Sequence, residues 1–164
     1  MSRQTLAIFA FSVLLTVPVL ALADAQGNDA GRVVQGAGTS ILTGGTGAPQ
    51  FTPVVTKFGV HWRGGQGRLD CLALIPSVAA GQPGSGNFDT NIMYVTGNIT
   101  SVEIRGSIAT LTGRADVTGL GAGSNVPFTA IAEEGGPGAR FVLTVSGFTF
   151  EETILEGQIK FGGS

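Results

Sequence analysis

From Val54 onward the side chains alternate: Val54, Thr56, Phe58, Val60 and Trp62 fall on one side of an extended chain, and Val55, Lys57, Gly59, His61 and Arg63 on the other. A repeat of two with one apolar side belongs to a strand whose single face is buried, and it excludes a helix over the same residues. Gly64-Gly65-Gln66-Gly67 then supplies backbone freedom for a hairpin loop. Setting Arg63 opposite Arg68 brings Trp62 against Leu69, Val60 against Cys71, Phe58 against Ala73 and Thr56 against Ile75. All inward pairs are then apolar or nearly so. A slip of one residue would turn every side chain to the wrong face, so this agreement is expected to fix the register.

The same grammar returns downstream. Gly106-Ser107, with glycine as the first central residue, reads as a two-residue type II′ turn; it pairs Ile104 with Ala109, Val102 with Leu111 and, on the opposite face, Glu103 with Thr110. The inward row continues through Gly113, Ala115 and Val117, whose small size predicts a close approach by another sheet or backbone. A third hairpin joins Val126–Glu134 to Arg140–Ser146 through Gly135-Gly136-Pro137-Gly138-Ala139. It turns Phe128, Ala130, Ala132, Phe141, Leu143 and Val145 inward. Leu155, Gly157, Ile159 and Phe161 alternate with Glu156, Gln158 and Lys160, so the chain closes on a strand.

Gly31–Gln35 and Ser40–Thr43 are two short β-like runs, and Ile92–Thr96 is expected to re-enter the sheet, either as a separate strand or continuous with the strand after Gly97. Pro76–Thr90 is the longest break, a mobile loop or a lid. About eight strands joined mostly by hairpins imply an all-β fold: an antiparallel meander closing as a small barrel, or a two-sheet β-sandwich. Alternation does not separate the two. Closure is favoured because neighbours follow in sequence and the last strand is long enough to reach the first.

Ahead of these strands, Met1-Ser2-Arg3 is followed by the apolar run Leu6–Leu20 and by Ala21-Leu22-Ala23, the form of a cleaved export signal. The apolar run falls short of the roughly 20 residues of a spanning helix. Residues 1–23 are therefore expected to be removed, with Ala23-Asp24-Ala25 as a second cutting site, leaving 24–164 as one exported domain, periplasmic or secreted. Nine basic against eleven acidic residues give a formal charge of −2, which removing Arg3 makes slightly more negative; such a surface does not suit nucleic acid or anionic lipid. Charged residues are only 12% of the chain, so the outer faces must rest on Thr, Ser, Asn, Gln and Gly. Cys71 is the single cysteine and falls in an inward row, where it behaves as a small apolar residue.

Chemistry-bearing patterns are few. His61, the single histidine, is expected directly across from Asp70 on the outer face, near Arg63 and Arg68. A His oriented by an Asp is half of a nucleophilic triad, but no Gly-x-Ser-x-Gly elbow supplies the other half, so the pair reads as a surface polar contact. Asn87-Phe88-Asp89-Thr90-Asn91 has alternate oxygen ligands without the Gly and distant Glu of a calcium loop. Glu133-Glu134 and Glu151-Glu152 border turns, and neighbours on a strand point to opposite faces, so both pairs read as solvated charge. One His and one buried Cys do not make a zinc site. No catalytic residue, metal or cofactor is assigned.

Ile108-Ala109-Thr110-Leu111-Thr112-Gly113, Val126-Pro127-Phe128-Thr129, Gly135-Gly136-Pro137-Gly138 and Gly157-Gln158-Ile159 together resemble exported bacterial β-rich domains, some standing alone behind a signal and some serving as modules of larger secreted proteins. The resemblance spans mainly residues 97–161. It rests on turn glycines and core positions, and implies fold and compartment without any site residue.

The expected role is that of a non-enzymatic exported domain that binds a partner or an envelope component. A second reading is a carrier whose barrel interior holds a small apolar ligand beside Phe58, Val60, Trp62, Phe128 and Phe141. Lower alternatives are a cavity-type isomerase or cyclase, and a small outer-membrane barrel, for which one Trp and one Tyr are poor material for two aromatic girdles.

Overall fold

The computed structural model describes residues 31–50, 52–84 and 86–163. The expected signal at 1–23 and both cutting sites lie outside the described residues.

Eight antiparallel strands follow one another around a closed barrel, so the choice between barrel and sandwich falls to the barrel. They are β1 (Arg32–Gly44), β2 (Val55–Arg63), β3 (Gln66–Pro76), β4 (Phe88–Arg105), β5 (Ile108–Gly119), β6 (Gly123–Glu133), β7 (Arg140–Val145) and β8 (Phe148–Gly163). The ring is closed by β1 on β8, from Arg32 opposite Gly163 to Gly44 opposite Glu151. Closure pairs the first strand with the last, so none of the described strands is an edge strand. The two short runs expected near the start are one strand, and Ile92–Thr96 continues through Gly97 as part of β4.

The β4–β5 and β6–β7 hairpins pair as the sequence predicts: Ile104 faces Ala109, Val102 faces Leu111, and Phe128, Ala130, Ala132, Phe141, Leu143 and Val145 are all buried. Gly106 takes the positive φ (59°) that a type II′ turn asks of its first central residue. What approaches closely at Gly113 is the Phe128 ring of the adjacent strand, together with the Asn98 carbonyl. A methyl group on Gly113 or Gly97 would stand 2.7 Å from the Phe128 ring. The two glycines thus make a flat seat for an aromatic side chain.

The β2–β3 hairpin departs from its expected register by two residues. Gly64 and Gly65 both have positive φ (60° and 82°) and form the whole turn, so Arg63 pairs with Gln66, Trp62 with Gly67, Val60 with Leu69, Phe58 with Cys71 and Thr56 with Ala73. Two consecutive residues with positive φ are the signature of a type I′ turn, whose twist matches the strands, and this outweighs the longer loop. An even slip keeps each side chain on its own face. Trp62, Leu69, Val60, Cys71 and Phe58 therefore remain buried.

In β8 the row expected to include Leu155 is broken. Thr39 pairs with Glu156 but Ser40 with Ile154, which leaves Leu155 as an extra residue, 49% exposed. Such a bulge switches the parity of the strand. Ile159 is buried on one side of it, and Ile154, Glu152 and Phe150 on the other.

The interior is packed. Phe58 of β2 and Phe141 of β7 stack across it, with ring centroids 5.4 Å apart and planes at 15°. Trp62 is buried near the Gly64-Gly65 end. The outward positions carry residues such as Lys57, Arg68, Thr96, Thr112, Arg114 and Thr144.

Candidate functional site

Among the described residues three polar side chains are buried inside the barrel: Ser40, Thr56 and Glu152, the last only 3% exposed. Their meeting follows from strand order. Ser40 and Thr56 are partners across β1 and β2, and Glu152 reaches them from β8, where it pairs with Leu42 on one side and Phe141 on the other. The Leu155 bulge is what turns Glu152 inward; with unbroken alternation from Ile159, Glu151 would point inside instead. The reading of Glu151-Glu152 as solvated charge is thus half wrong: Glu151 is only part-buried, 3.6 Å from Arg140, and Glu152 is in the core.

Ser40 Oγ donates to Glu152 Oε2, and Thr56 Oγ1 donates to Oε1 at 3.2 Å. Ser40 Oγ also lies 3.4 Å from the carbonyl oxygen of Thr56. Burial drives the Glu152 carboxyl up to about 7 against the pull of the two hydroxyls. A neutral acid can be held by the same atoms, giving its proton to Ser40 Oγ while Ser40 donates to the Thr56 carbonyl. Near neutral pH both forms are populated. The Cys71 thiol is pushed well up by burial first and by nearby Glu152 second, so it stays protonated and unreactive.

Glu152 and Thr56 form the polar floor of a cavity of about 30 Å³. Cys71, Met93, Val95, Leu143 and Phe150 wall it, and Gly47, Ile92 and Leu120 stand at its mouth. Since about 10–15 Å³ holds one water, the enclosed part has room for roughly two groups of that size. The mouth is shaped by hydrogen bonds. Gly47 N–H donates to the Thr149 carbonyl, and Thr149 N–H to Thr46 Oγ1, both at 2.9 Å, which folds the β1–β2 connection onto β8. Leu120 N–H donates to the carbonyl of bulged Ile92 at 2.9 Å.

The five residues proposed from sequence for an internal ligand, Phe58, Val60, Trp62, Phe128 and Phe141, are all core, and none lines this cavity. Trp62 lies six residues along β2 from Thr56, about 20 Å away at the rise of a strand. His61 and Asp70 are not directly opposed. The two-residue slip sets His61 across from Arg68 and Asp70 across from Gly59. Asp70 instead accepts from Arg68 Nε at 2.9 Å and from the Tyr94 hydroxyl at 3.0 Å. Partial burial raises its carboxyl, but the hydrogen bonds of Arg68, Thr96 and Tyr94 outweigh this and hold it below the usual range. Glu133 and Glu134 are backbone caps, accepting from the N–H of Arg140 and of Phe161, each at 3.0 Å. Among the described residues no group of three His, Cys, Asp or Glu side chains converges.

Comparison of the chain with family models, with curated proteins and with solved structures finds no match.

Proposed function

We propose that this chain is an exported, non-enzymatic binding barrel whose ligand, a small and mainly apolar molecule, enters at the Glu152 end. The observation that carries this reading is an apolar cavity with a buried carboxyl at its floor, opening from one end of an otherwise filled barrel. A pocket with apolar walls and very few polar groups to fix orientation is the usual construction of a small-molecule site. The packed centre argues against a ligand lodged beside Phe58 and Phe141, so the carrier reading is kept with its site moved to the mouth. Outward faces with many charged and hydroxyl side chains, on which Ile108, Ile131 and Leu155 are exposed apolar exceptions, argue against insertion in a bilayer, where a barrel needs an apolar band outside.

Native mass spectrometry of protein purified from its own source tests this directly, since a resident ligand adds mass. Ala73→Leu extends a side chain into the cavity wall; the folded variant should lose the added mass and any ligand-dependent rise in Tm. Ligand-free protein that also shows no Tm shift with apolar probes would refute the reading.

Glu152 favours a second reading, proton transfer to or from an apolar substrate, because an acid titrating near 7 in an apolar pocket suits general acid–base work. Under that reading Glu152→Gln would cut turnover by about 10²–10⁴ while leaving binding largely intact.

A further inference from the structure

We propose that the Glu152 cavity receives the primary ammonium group of a small apolar amine, seated against the carboxylate with its hydrocarbon part directed to the mouth at Ile92 and Leu120. This rests on the binding reading above and names the chemistry of its ligand.

Three observations lead to it. Two hydroxyls donate to the Glu152 carboxyl and ease its ionisation, but burial outweighs them, so the anion forms there at a net cost. Among the described residues no countercharge faces that anion: β1 presents Ser40 and Leu42, β2 Thr56, β3 Cys71 and Ala73, β4 Met93 and Val95, β7 Leu143, and β8 itself Phe150. Cys71 is the other titratable group there, and burial keeps it neutral. A buried carboxylate without a cation is costly, and a ligand that brings the cation removes that cost. The third observation is size. The space of about 30 Å³ beside the carboxyl holds roughly two water-sized groups, room for an ammonium group and tight for a trimethylammonium group. Apolar walls suit the hydrocarbon that follows.

Binding would be linked to protons. When the ammonium ion enters a molecule whose Glu152 is protonated, that proton leaves to solvent and the ion pair remains. Affinity should therefore rise with pH through the titration of Glu152, while the amine itself stays charged. A neutral ketone, which would accept from the protonated acid, should show the opposite slope.

Isothermal titration of the purified protein with hexylamine, 1-hexanol, 2-hexanone and hexyltrimethylammonium at pH 6 and pH 8 tests this. Hexylamine is expected to bind at least about tenfold more tightly than hexanol at pH 8, and about tenfold more tightly at pH 8 than at pH 6, the ratio of ionised fractions for a group titrating near 7. Proton release should appear as a buffer-dependent heat, hexyltrimethylammonium should not bind, and Glu152→Gln should lose the preference for amine over alcohol. Equal affinity for amine and alcohol, a ketone favoured at low pH, or binding of the trimethyl compound would overturn the amine assignment and leave the binding site standing. Absence of binding by all four probes would overturn the binding reading as well. If Glu152→Gln does not fold, the pH profile and the four-probe comparison on the unaltered protein still decide.

Discussion

Glu152 is where single-residue chemistry departs furthest from the surface pattern of the sequence. Its carboxyl is raised from 4.5 to about 7, so the folded chain holds this proton more tightly than the unfolded chain does. The contribution to stability is therefore fully present below pH 4.5, falls as pH rises from 4.5 to about 7, and levels off above that, a loss on the order of 3 kcal/mol. Glu152→Gln should flatten the fall. Urea midpoints at pH 5 and pH 8 measure it: the variant should gain on the unaltered protein at pH 8, and parallel curves would contradict the assignment. Thr56 was legible as an inward position in the row of Phe58 and Val60, but Ser40 gave no warning in the sequence, because a small hydroxyl is ordinary in either face of a strand. Cys71 was legible as interior, since it sits in a row with Leu69 and Ala73.

Turns and bulges decide what alternation cannot. The β2–β3 strands were legible as a hairpin with the right faces inward, yet their partners were displaced by two because an even slip leaves every face unchanged. That slip also dissolved the expected His61–Asp70 contact. Gly64 has φ of 60° and nothing within 4 Å of where a Cβ would stand. Asparagine tolerates this conformation and restricts the unfolded chain, so Gly64→Asn should stabilise by about 0.5 kcal/mol. Gly64→Val, which strongly resists positive φ, should destabilise instead; chemical denaturation of the two variants side by side checks the turn type. The Leu155 bulge was hidden for the converse reason. Leu155 is apolar and continues the Gly157, Ile159, Phe161 row, so nothing in the pattern marks it as the residue that leaves it. Misreading that one position hides the inward orientation of Glu152.

Across the whole molecule, architecture was readable because each hairpin joins neighbours, and among the described strands the only distant pairing is β1 with β8. That pairing forms last in sequence terms and holds the ring shut. Removing residues 157–164 takes away Ile159, fully buried, and uncovers the hydrogen-bonding edge of β1 from Arg32 to Gly38. The truncated chain should lose more than about 3 kcal/mol and associate through its open edges. Size-exclusion chromatography would report this, and a monomeric truncated barrel would show that closure matters less than the packed centre. The candidate site was less legible than the fold, since it is made by residues from β1, β2 and β8 that meet only after the ring has closed. Arg32 and Gly163 stand side by side at the Gly64-Gly65 end, far from Glu152. A short peptide linking them would permit circular permutation, and a tether fixed beside either one would carry the barrel like a cup on a stem, base down and rim free to the surroundings.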